Sequence, residues 1–365
     1  MLLEPDSWSL AQRIDGLLPA LSPELLETVS AETHACTLEL ATAPHTTVRA
    51  AAAELYVLRR ALAEELHGLG LRTAAAGTHP LATSSEVEVS GGARYQLLSQ
   101  GLRSLARREP TFALHVHVGV PEAGLAVKAA DRMRAHLPLI LAVSANSPFA
   151  TGRDSGMASV RTPLFQAFPR SGLPRRLGSY SAYAERIDAL LRAGAFPEPT
   201  FVWWDVRLQP RFGTVEVRIA DAQSRVPEVA ALAALIQALV RIEATEGYAA
   251  EALVDAQEVL EENRFLAARD GMGARLVDPT VEARVPAARL LAALIEACEP
   301  HACELDSEPE LEAARDLALR PGAERQRRLA GQQGIENVIP ELSDLFLDAG
   351  PVVGLDLAHA SVEDG

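Results

Sequence analysis

Residues 112–120 constrain the fold more than any other stretch, because large apolar side chains occupy every second position and two histidines lie between them. Side chains of a β-strand point alternately to opposite faces, so His115, His117 and Gly119 share one face. The other face carries Leu114, Val116, Val118 and Val120. The pattern predicts a strand with one face toward a hydrophobic core and two imidazoles beside a bare glycine on the other face.

Two further stretches repeat this alternation with charged residues. In residues 214–221, Glu216 and Arg218 share a face opposite three aliphatic residues. Residues 37–42 place Glu39 alone on a face of small residues. Three strands that each set an ionisable group opposite an apolar face predict one sheet with a polar, metal-binding surface.

Composition excludes several functional classes. A net charge of -15 argues against a nucleic-acid partner or an anionic membrane surface, since phosphate binding needs clustered Lys and Arg. The longest apolar run, residues 137–143, is far shorter than the roughly 20 residues that a bilayer span requires. The three cysteines include no Cys-x-x-Cys pair, and the charged first twenty residues do not suit a signal peptide. We therefore expect a cytoplasmic protein with no membrane segment.

Periodicity predicts helices and strands in mixed order. The segments with helical spacing are residues 44–66, 94–108, 126–144 (kinked at Pro138), 181–192 and most of the chain after residue 227. Residues 201–208 and 214–219 predict a hairpin, because five turn-forming residues separate two alternating stretches. Strands and helices do not alternate regularly, which favours an α+β fold with a mainly antiparallel sheet.

Residues 145–178 form a turn-rich stretch with interleaved aromatic residues and several arginines. Loops of this length are uncommon and usually functional, so we expect an ordered loop over the site. The sequence has no Gly-x-x-x-x-Gly-Lys-Ser/Thr loop and no Gly-x-Gly-x-x-Gly after a strand. A bound nucleotide would therefore have its phosphates held by metals and arginines.

The polar strand faces allow more than one chemistry. His115-x-His117 could be a plain polar face, or the end of a barrel strand in a metal-dependent hydrolase. Carboxylates with an occasional imidazole instead suit Mg²⁺ or Mn²⁺. Arg218 would lie about 6–7 Å from Glu216 along the strand, where it could stabilise charge on a phosphoryl group in transfer.

Several motifs, in order along most of the chain, carry a family resemblance. They are residues 38–42, 77–80, 115–120, 139–149, 152–154, 161–165, 214–218 and 262–264. Over about residues 28–330 this arrangement resembles the bacterial glutamate–cysteine ligase type 2 family, carboxylate–amine ligases of the glutamine-synthetase-like superfamily. The resemblance implies a funnel-like active site on an antiparallel sheet, with ATP and Mg²⁺ (or Mn²⁺) on its polar face.

The implied reaction is the ATP-dependent joining of glutamate to an amine such as cysteine, as in glutathione biosynthesis. The substrate carboxylate attacks the γ-phosphate of ATP, and the amine then displaces phosphate from the acyl phosphate. The partners implied are small molecules, and the sequence leaves open whether the chain forms a homo-oligomer.

The resemblance also implies roles for individual residues. The metal ligands would be Glu39, His117 and Glu216. Arg218 and Arg153 would act in catalysis, Arg218 at the transferred phosphoryl group. Substrate or nucleotide contacts would come from Arg161, His115, Asn146 and Ser147. The loop residues Arg153 and Arg161 would clamp phosphate or a substrate carboxylate.

The chain departs from the family pattern at its start. Family members usually open with a Gly-Val-Glu-Glu-Glu strand that helps to bind metal, whereas Met1 to Pro5 resemble the segment directly after that strand. We therefore expect either a start upstream of Met1 or an incomplete metal site. The alternatives to an active ligase are a catalytically impaired ATP- and metal-binding homologue and the hydrolase. We expect a single catalytic domain over residues 1–348 and a flexible tail over residues 349–365.

Overall fold

The structure is a computed structural model that describes residues 1–350. Its strands are β1 (Leu2–Leu3), β2 (Val29–Ala31), β3 (Leu38–Leu40), β4 (Arg72–Thr73), β5 (Val116–Gly119), β6 (Phe149–Ala150), β7 (Arg153–Asp154), β8 (Ser171–Gly172), β9 (Trp203–Trp204), β10 (Val206–Gln209), β11 (Thr214–Val217), β12 (Arg275–Asp278) and β13 (Ala283–Pro286). Its helices are α1 (Ile14–Leu17), α2 (Pro23–Leu26), α3 (Val48–Gly68), α4 (Ala93–Leu102), α5 (Ala123–Met133), α6 (Leu137–Ser144), α7 (Arg161–Gln166), α8 (Tyr180–Arg192), α9 (Val226–Thr245), α10 (Glu251–Val254), α11 (Gln257–Asp270), α12 (Ala287–Glu304), α13 (Glu308–Leu319), α14 (Gly322–Gln333) and α15 (Val338–Leu345).

The largest sheet of the described residues holds the histidine strand. It has three antiparallel strands in the order β10-β11-β5. The predicted hairpin is confirmed as β10 and β11, and Gly213 closes its turn with a positive φ of 64°. The register places Glu216 opposite His117 on one side and opposite Arg207 on the other. The polar residues of the three strands therefore lie side by side.

The apolar face of this sheet packs into the main core beside α9. Val215 and Val217 are fully buried, and α9 is apolar around most of its circumference, as expected for a central helix. Pro227 in its first turn and a capping interaction between Arg225 and Glu228 define where α9 begins. One side of the sheet is thereby fixed against a helix, and the other side is left for polar residues.

The mixture of helices with small antiparallel sheets confirms the predicted α+β class. One detail of the prediction was wrong: the three polar strands do not form one sheet. The strand of Glu39, β3, pairs with β2 in a separate ladder, with Ser30 opposite Glu39. The chain turns back between residues 31 and 38, so β3 pairs with the strand that directly precedes it.

The apolar stretch over residues 126–144 also differs from the prediction of one kinked helix. It forms α5 and α6 with a break between Met133 and Leu137. Pro138 lies in the first turn of α6, where its missing N–H costs nothing, rather than at a kink inside a helix. The predicted loop over residues 145–178 contains α7 and three short strands.

None of the helices within residues 1–350 is sufficiently long and apolar to cross a membrane. Cys36, Cys298 and Cys303 are free thiols. The single domain over residues 1–348 stays a prediction. From residue 351 onward, the predicted tail lies outside the described residues.

Candidate active site

A large cavity opens on the polar face of the β10-β11-β5 sheet. Its volume is about 1550 Å³, larger than the roughly 300–1,000 Å³ usual for a small-molecule pocket. The cavity is lined by the predicted site residues Glu39, His115, His117, Arg161, Glu216 and Arg218. Ionisable residues from two ladders, from the segments beside them and from the first position of α7 thus border one cavity.

Glu216 is the centre of the site. Only 1% of the residue is exposed, and both of its carboxylate oxygens accept hydrogen bonds from guanidinium groups. Arg207 donates from Nε to Oε2 at 2.5 Å and from Nη2 to Oε1 at 3.3 Å, while Arg218 donates from Nη1 to Oε1. Burial alone would raise the pKa of Glu216, but Arg218 and Arg207 outweigh it and hold the pKa well below its usual range. Glu216 is therefore a carboxylate throughout the physiological range of pH.

His115 lies between two carboxylates. Its Nδ1 atom is 3.8 Å from Glu39 Oε1, 3.9 Å from Glu216 Oε1 and 3.4 Å from Arg218 Nη1. Burial, reinforced by the charge of Arg218, lowers the pKa of His115 well below its ordinary value. His115 is therefore a neutral imidazole at pH 7, able to accept a hydrogen bond or bind a cation.

His117 is held from the side of its Nδ1 atom. That atom lies 3.0 Å from the hydroxyl oxygen of Thr214, on the neighbouring strand, and the Phe212 ring meets the imidazole edge-on. The Nε2 atom is 3.7 Å from Glu216 Oε1. Burial is the main cause that lowers the pKa of His117, so this imidazole is also neutral. The Thr214 contact fixes the ring and leaves Nε2 toward Glu216.

Glu39 reaches the same site from the separate β2–β3 ladder. Burial raises the pKa of Glu39, and the neighbouring carboxylate of Glu32 raises it further. Its side chain is 47% exposed, and its Oε2 atom accepts a hydrogen bond from Ser30 at 3.5 Å. Among the predicted metal ligands, Glu39 is the carboxylate least engaged by protein groups.

The donor chemistry of this site suits a divalent cation, because carboxylate oxygens and neutral imidazole nitrogens lie within 3.9 Å of one another. Within residues 1–350, however, no three His, Cys, Asp or Glu side chains form a ready-made metal site. Arginines already engage both oxygens of Glu216. Three of the roughly four acceptor sites of the Glu216 carboxylate are therefore already occupied by guanidinium N–H groups.

Arg161 takes a different position from the predicted clamp. Its guanidinium donates to the main-chain oxygens of Ile219, at 2.9 Å, and Arg218, at 3.2 Å. It also lies 3.7 Å from the carboxylate of Asp221, and only 5% of the residue is exposed. Arg161 therefore binds the chain that follows β11, although it borders the cavity.

Asn146 and Ser147 belong to a buried polar network around the same Asp221. The Asp221 carboxylate accepts hydrogen bonds from Asn146 N at 2.8 Å, Ser147 Oγ at 2.7 Å and Ser159 Oγ at 2.9 Å. Burial raises the pKa of Asp221, an effect that Arg161 opposes. Neither Asn146 nor Ser147 lines the cavity, so the geometry does not support their predicted contact with substrate or nucleotide.

Arg153 is a third predicted site residue that does not line the cavity. It lies exposed in β7, outside the cavity lining, and its neighbour Asp154 pairs with Arg327 at 2.8 Å. The predicted clamp by Arg153 therefore has no support in the geometry.

Sequence reasoning missed two residues of this site, Arg207 and Asp221. For Arg207 a signal was present, because the predicted hairpin places residue 207 opposite Glu216. For Asp221 there was none, because its importance depends on three partners that are distant in sequence.

Fold and site together define an α+β protein with an arginine-rich polar cavity, suited to small molecules that carry carboxylate or phosphate groups. The model of the family described as glutamate–cysteine ligase family 2 (GCS2) matches residues 3–341. The chain belongs to this family of ligases.

Curated relatives agree with this assignment. A protein of Rubrobacter xylanophilus, provisionally named glutamate–cysteine ligase 2-3, is 37% identical over 94% of both chains. Proteins of Sorangium cellulosum and Thermobifida fusca, both provisionally named glutamate–cysteine ligase 2, are 36% and 35% identical. These matches cover 82% and 97% of this chain, and 80% and 90% of the relatives.

A solved structure of the Pup ligase PafA in complex with ADP gives a TM-score of 0.43 at 11% identity, covering 85% of this chain and 66% of PafA. This likeness is too weak to assign a ligand or a reaction.

Proposed function

We propose that this chain is an ATP-dependent carboxylate–amine ligase, nominally one that joins glutamate to cysteine through an acyl phosphate. Membership of the ligase family supports the reaction class. The observation that carries the proposal is Arg218, which borders the cavity with Nη1 on Glu216 and a buried Nε atom. Within residues 1–350 this Nε has no hydrogen-bond partner. The Arg218 guanidinium therefore keeps donor capacity that the described residues do not use, and a cation of this kind at the cavity wall suits an anionic ligand oxygen.

In the proposed reaction, an oxygen of the substrate carboxylate attacks the γ-phosphorus of ATP and ADP leaves. The amine nitrogen then attacks the acyl carbon, phosphate leaves with the carboxylate oxygen, and the nitrogen loses a proton. Arg218 would stabilise the negative charge on the phosphoryl group during its transfer. Arg207 would hold Glu216, and so indirectly Arg218, in place.

A divalent cation, Mg²⁺ or Mn²⁺, would neutralise phosphate charge when bound. Glu39, His117 and Glu216 would hold it, with His115 beside them. The neutral imidazoles favour this role, because a protonated histidine cannot bind a metal.

The test is release of ADP from ATP with glutamate and a panel of amines that includes cysteine. We expect release that depends on both the carboxylate and the amine, and that falls sharply in R218A. The matched control is R60A, which removes an arginine that is 53% exposed and outside the cavity lining, and should leave the rate unchanged. Absence of release with every amine would contradict the proposal.

One observation favours the impaired homologue as a second candidate. Arginines engage both oxygens of Glu216, which leaves fewer carboxylate oxygens for metal. ATP binding without any ADP release would identify this candidate. The hydrolase has no such support, because His117 belongs to an antiparallel sheet rather than a parallel barrel, and His115 directly precedes the same strand.

A further inference from the structure

The main-chain oxygen of Arg218, the residue proposed to act on the phosphoryl group, is bound by another arginine. Arg161 Nη2 donates to Arg218 O at 3.2 Å, and Arg161 Nη1 donates to Ile219 O at 2.9 Å. β11 ends at Val217, so these two carbonyls lie directly beyond the ladder. The forked guanidinium thus spans the residues where regular sheet pairing of β11 stops.

Arg161 is itself fixed. It begins α7, its main-chain N–H donates to Ser147 Oγ at 3.2 Å, and the Phe165 ring lies 5.6 Å from its guanidinium carbon. The Asp221 carboxylate, fully buried, lies 3.7 Å away and balances its charge. A guanidinium with so many constraints can set the position of the backbone that it binds.

The residues around Asp221 also connect Arg161 to the segment that precedes His115. Asp221 pairs with Ala113 through a backbone bridge, and Ala220 O accepts a hydrogen bond from Leu114 N at 3.1 Å. The packing is tight, since a Cβ atom on Gly77 would lie 2.6 Å from the Asp221 carboxyl carbon. Backbone hydrogen bonds around the buried residue Asp221 therefore connect the segment that precedes His115 to the segment that follows Arg218.

We propose that Arg161, with Asp221 as its counter-ion, is a positioning residue that holds the backbone of Arg218 and thereby aims the Arg218 guanidinium into the cavity. This inference rests on the proposed function and replaces the predicted contact of Arg161 with substrate. A displacement of about 1 Å in a catalytic group can cost about 10²-fold in rate. Loss of Arg161 should therefore lower kcat rather than weaken substrate binding.

The test compares R161M and R161K with the wild-type chain, and uses R60M as the control, because Arg60 is 53% exposed and does not line the cavity. In R161M we expect kcat for ADP release to fall about 10²-fold, with KM for ATP and glutamate within about twofold of the wild type. R161K keeps the charge but offers one nitrogen instead of a fork, so it should recover part of the rate. A raised KM at unchanged kcat would overturn the proposal, because it would indicate direct contact with substrate.

A second readout does not depend on activity. Amide hydrogen exchange, followed on peptides that cover residues 214–222, should be faster in R161M, intermediate in R161K and unchanged in R60M. Unchanged exchange in R161M would overturn the positioning role even if the rate falls. If R161M does not fold, the same two measurements on R161K test the positioning role of Arg161. If the wild-type chain has no ligase activity, the proposed function is wrong. The exchange data would still test whether Arg161 holds the backbone after β11.

Discussion

Arg207 and Glu216 face each other across neighbouring antiparallel strands, with Arg207 Nε 2.5 Å from Glu216 Oε2. Arg207 also donates from Nη1 to the main-chain oxygens of Thr200, at 3.1 Å, and Val202, at 2.7 Å. Protein acceptors therefore hold Arg207 on several sides. Arg218 is held less, because its Nη1 atom contacts Glu216 and His115 while its Nε atom has no partner within residues 1–350, so we expect Arg218 rather than Arg207 to change partner when a ligand enters.

Replacing Glu216 with glutamine should destabilise the fold strongly. E216Q leaves the half-buried cations Arg207 and Arg218 without their shared counter-ion, and breaking such a pair costs about 3 kcal/mol or more in the free energy of unfolding. Urea denaturation measures this loss. The matched control E64Q changes a side chain that is 71% exposed and should cost no more than about 0.5 kcal/mol. Equal stability of E216Q and the wild type would contradict the assigned role of this carboxylate.

Arg218 should matter for rate much more than for stability. R218K keeps a positive charge but loses the guanidinium fork, so we expect kcat for ADP release to fall about 10²-fold. The melting temperature should change little, since Arg207 still pairs with Glu216. Steady-state kinetics measures the fall, with R60K as the control, because Arg60 is 53% exposed and does not line the cavity. A similar rate for R218K and R60K would show that Arg218 takes no part in the reaction.

His34 should make the fold less stable in mild acid. It is buried with Nε2 3.1 Å from Ala106 O, and burial lowers its pKa from 6.5 to about 4. Below pH 6.5 the unfolded chain takes up a proton that the folded chain refuses until about pH 4. Stability is therefore lost as the pH falls through this window, by up to about 3 kcal/mol from this residue.

Denaturation of H34Q between pH 7 and 4 tests this assignment. The glutamine cannot titrate, so the free energy of unfolding should fall less steeply with pH than in the wild type. Parallel pH profiles for the two proteins would show that His34 does not titrate in the manner described.

Glu39 should be required for binding of a divalent cation. It is the predicted ligand with the fewest protein contacts, so its carboxylate can bind a cation without first leaving an arginine. E39Q removes that carboxylate. Titration with Mn²⁺, followed by electron paramagnetic resonance, should show at least about 10-fold weaker binding in E39Q. E64Q serves again as the exposed control. Equal Mn²⁺ affinity in all three proteins would exclude Glu39 as a ligand.

The strand faces could be predicted from the sequence because they depend on local alternation. His117 and Glu216 lie opposite each other in the ladder, since a period of two determines which side chains share a face. The strand predicted over residues 112–120 is shorter, Val116–Gly119, and His115 meets Glu216 from just before it. Pairing partners depend on contacts that are distant in sequence. Alternation therefore could not show that β3 pairs with β2, although Glu39 still reaches the shared cavity.

For the loop residues, the sequence predicted the right stretch of chain but not what its side chains bind. The motifs that contain Asn146, Ser147 and Arg161 do lie beside the site, yet these residues bind Asp221 and the backbone after β11. A buried polar network forms only when three separate segments pack together, so no spacing within one segment reveals it. Arg153 lies in the same stretch but is exposed. Residue type and position in a motif therefore did not distinguish a supporting arginine from a surface one.

The most direct test of the proposed ligase chemistry follows an oxygen atom. If the carboxylate attacks the γ-phosphorus of ATP, glutamate labelled with ¹⁸O in its side-chain carboxylate must transfer one labelled oxygen to each phosphate released. Mass spectrometry of the phosphate measures the transfer. We predict one ¹⁸O per phosphate in the presence of the acceptor amine, whereas phosphate without label would show that water, not the carboxylate, is the nucleophile.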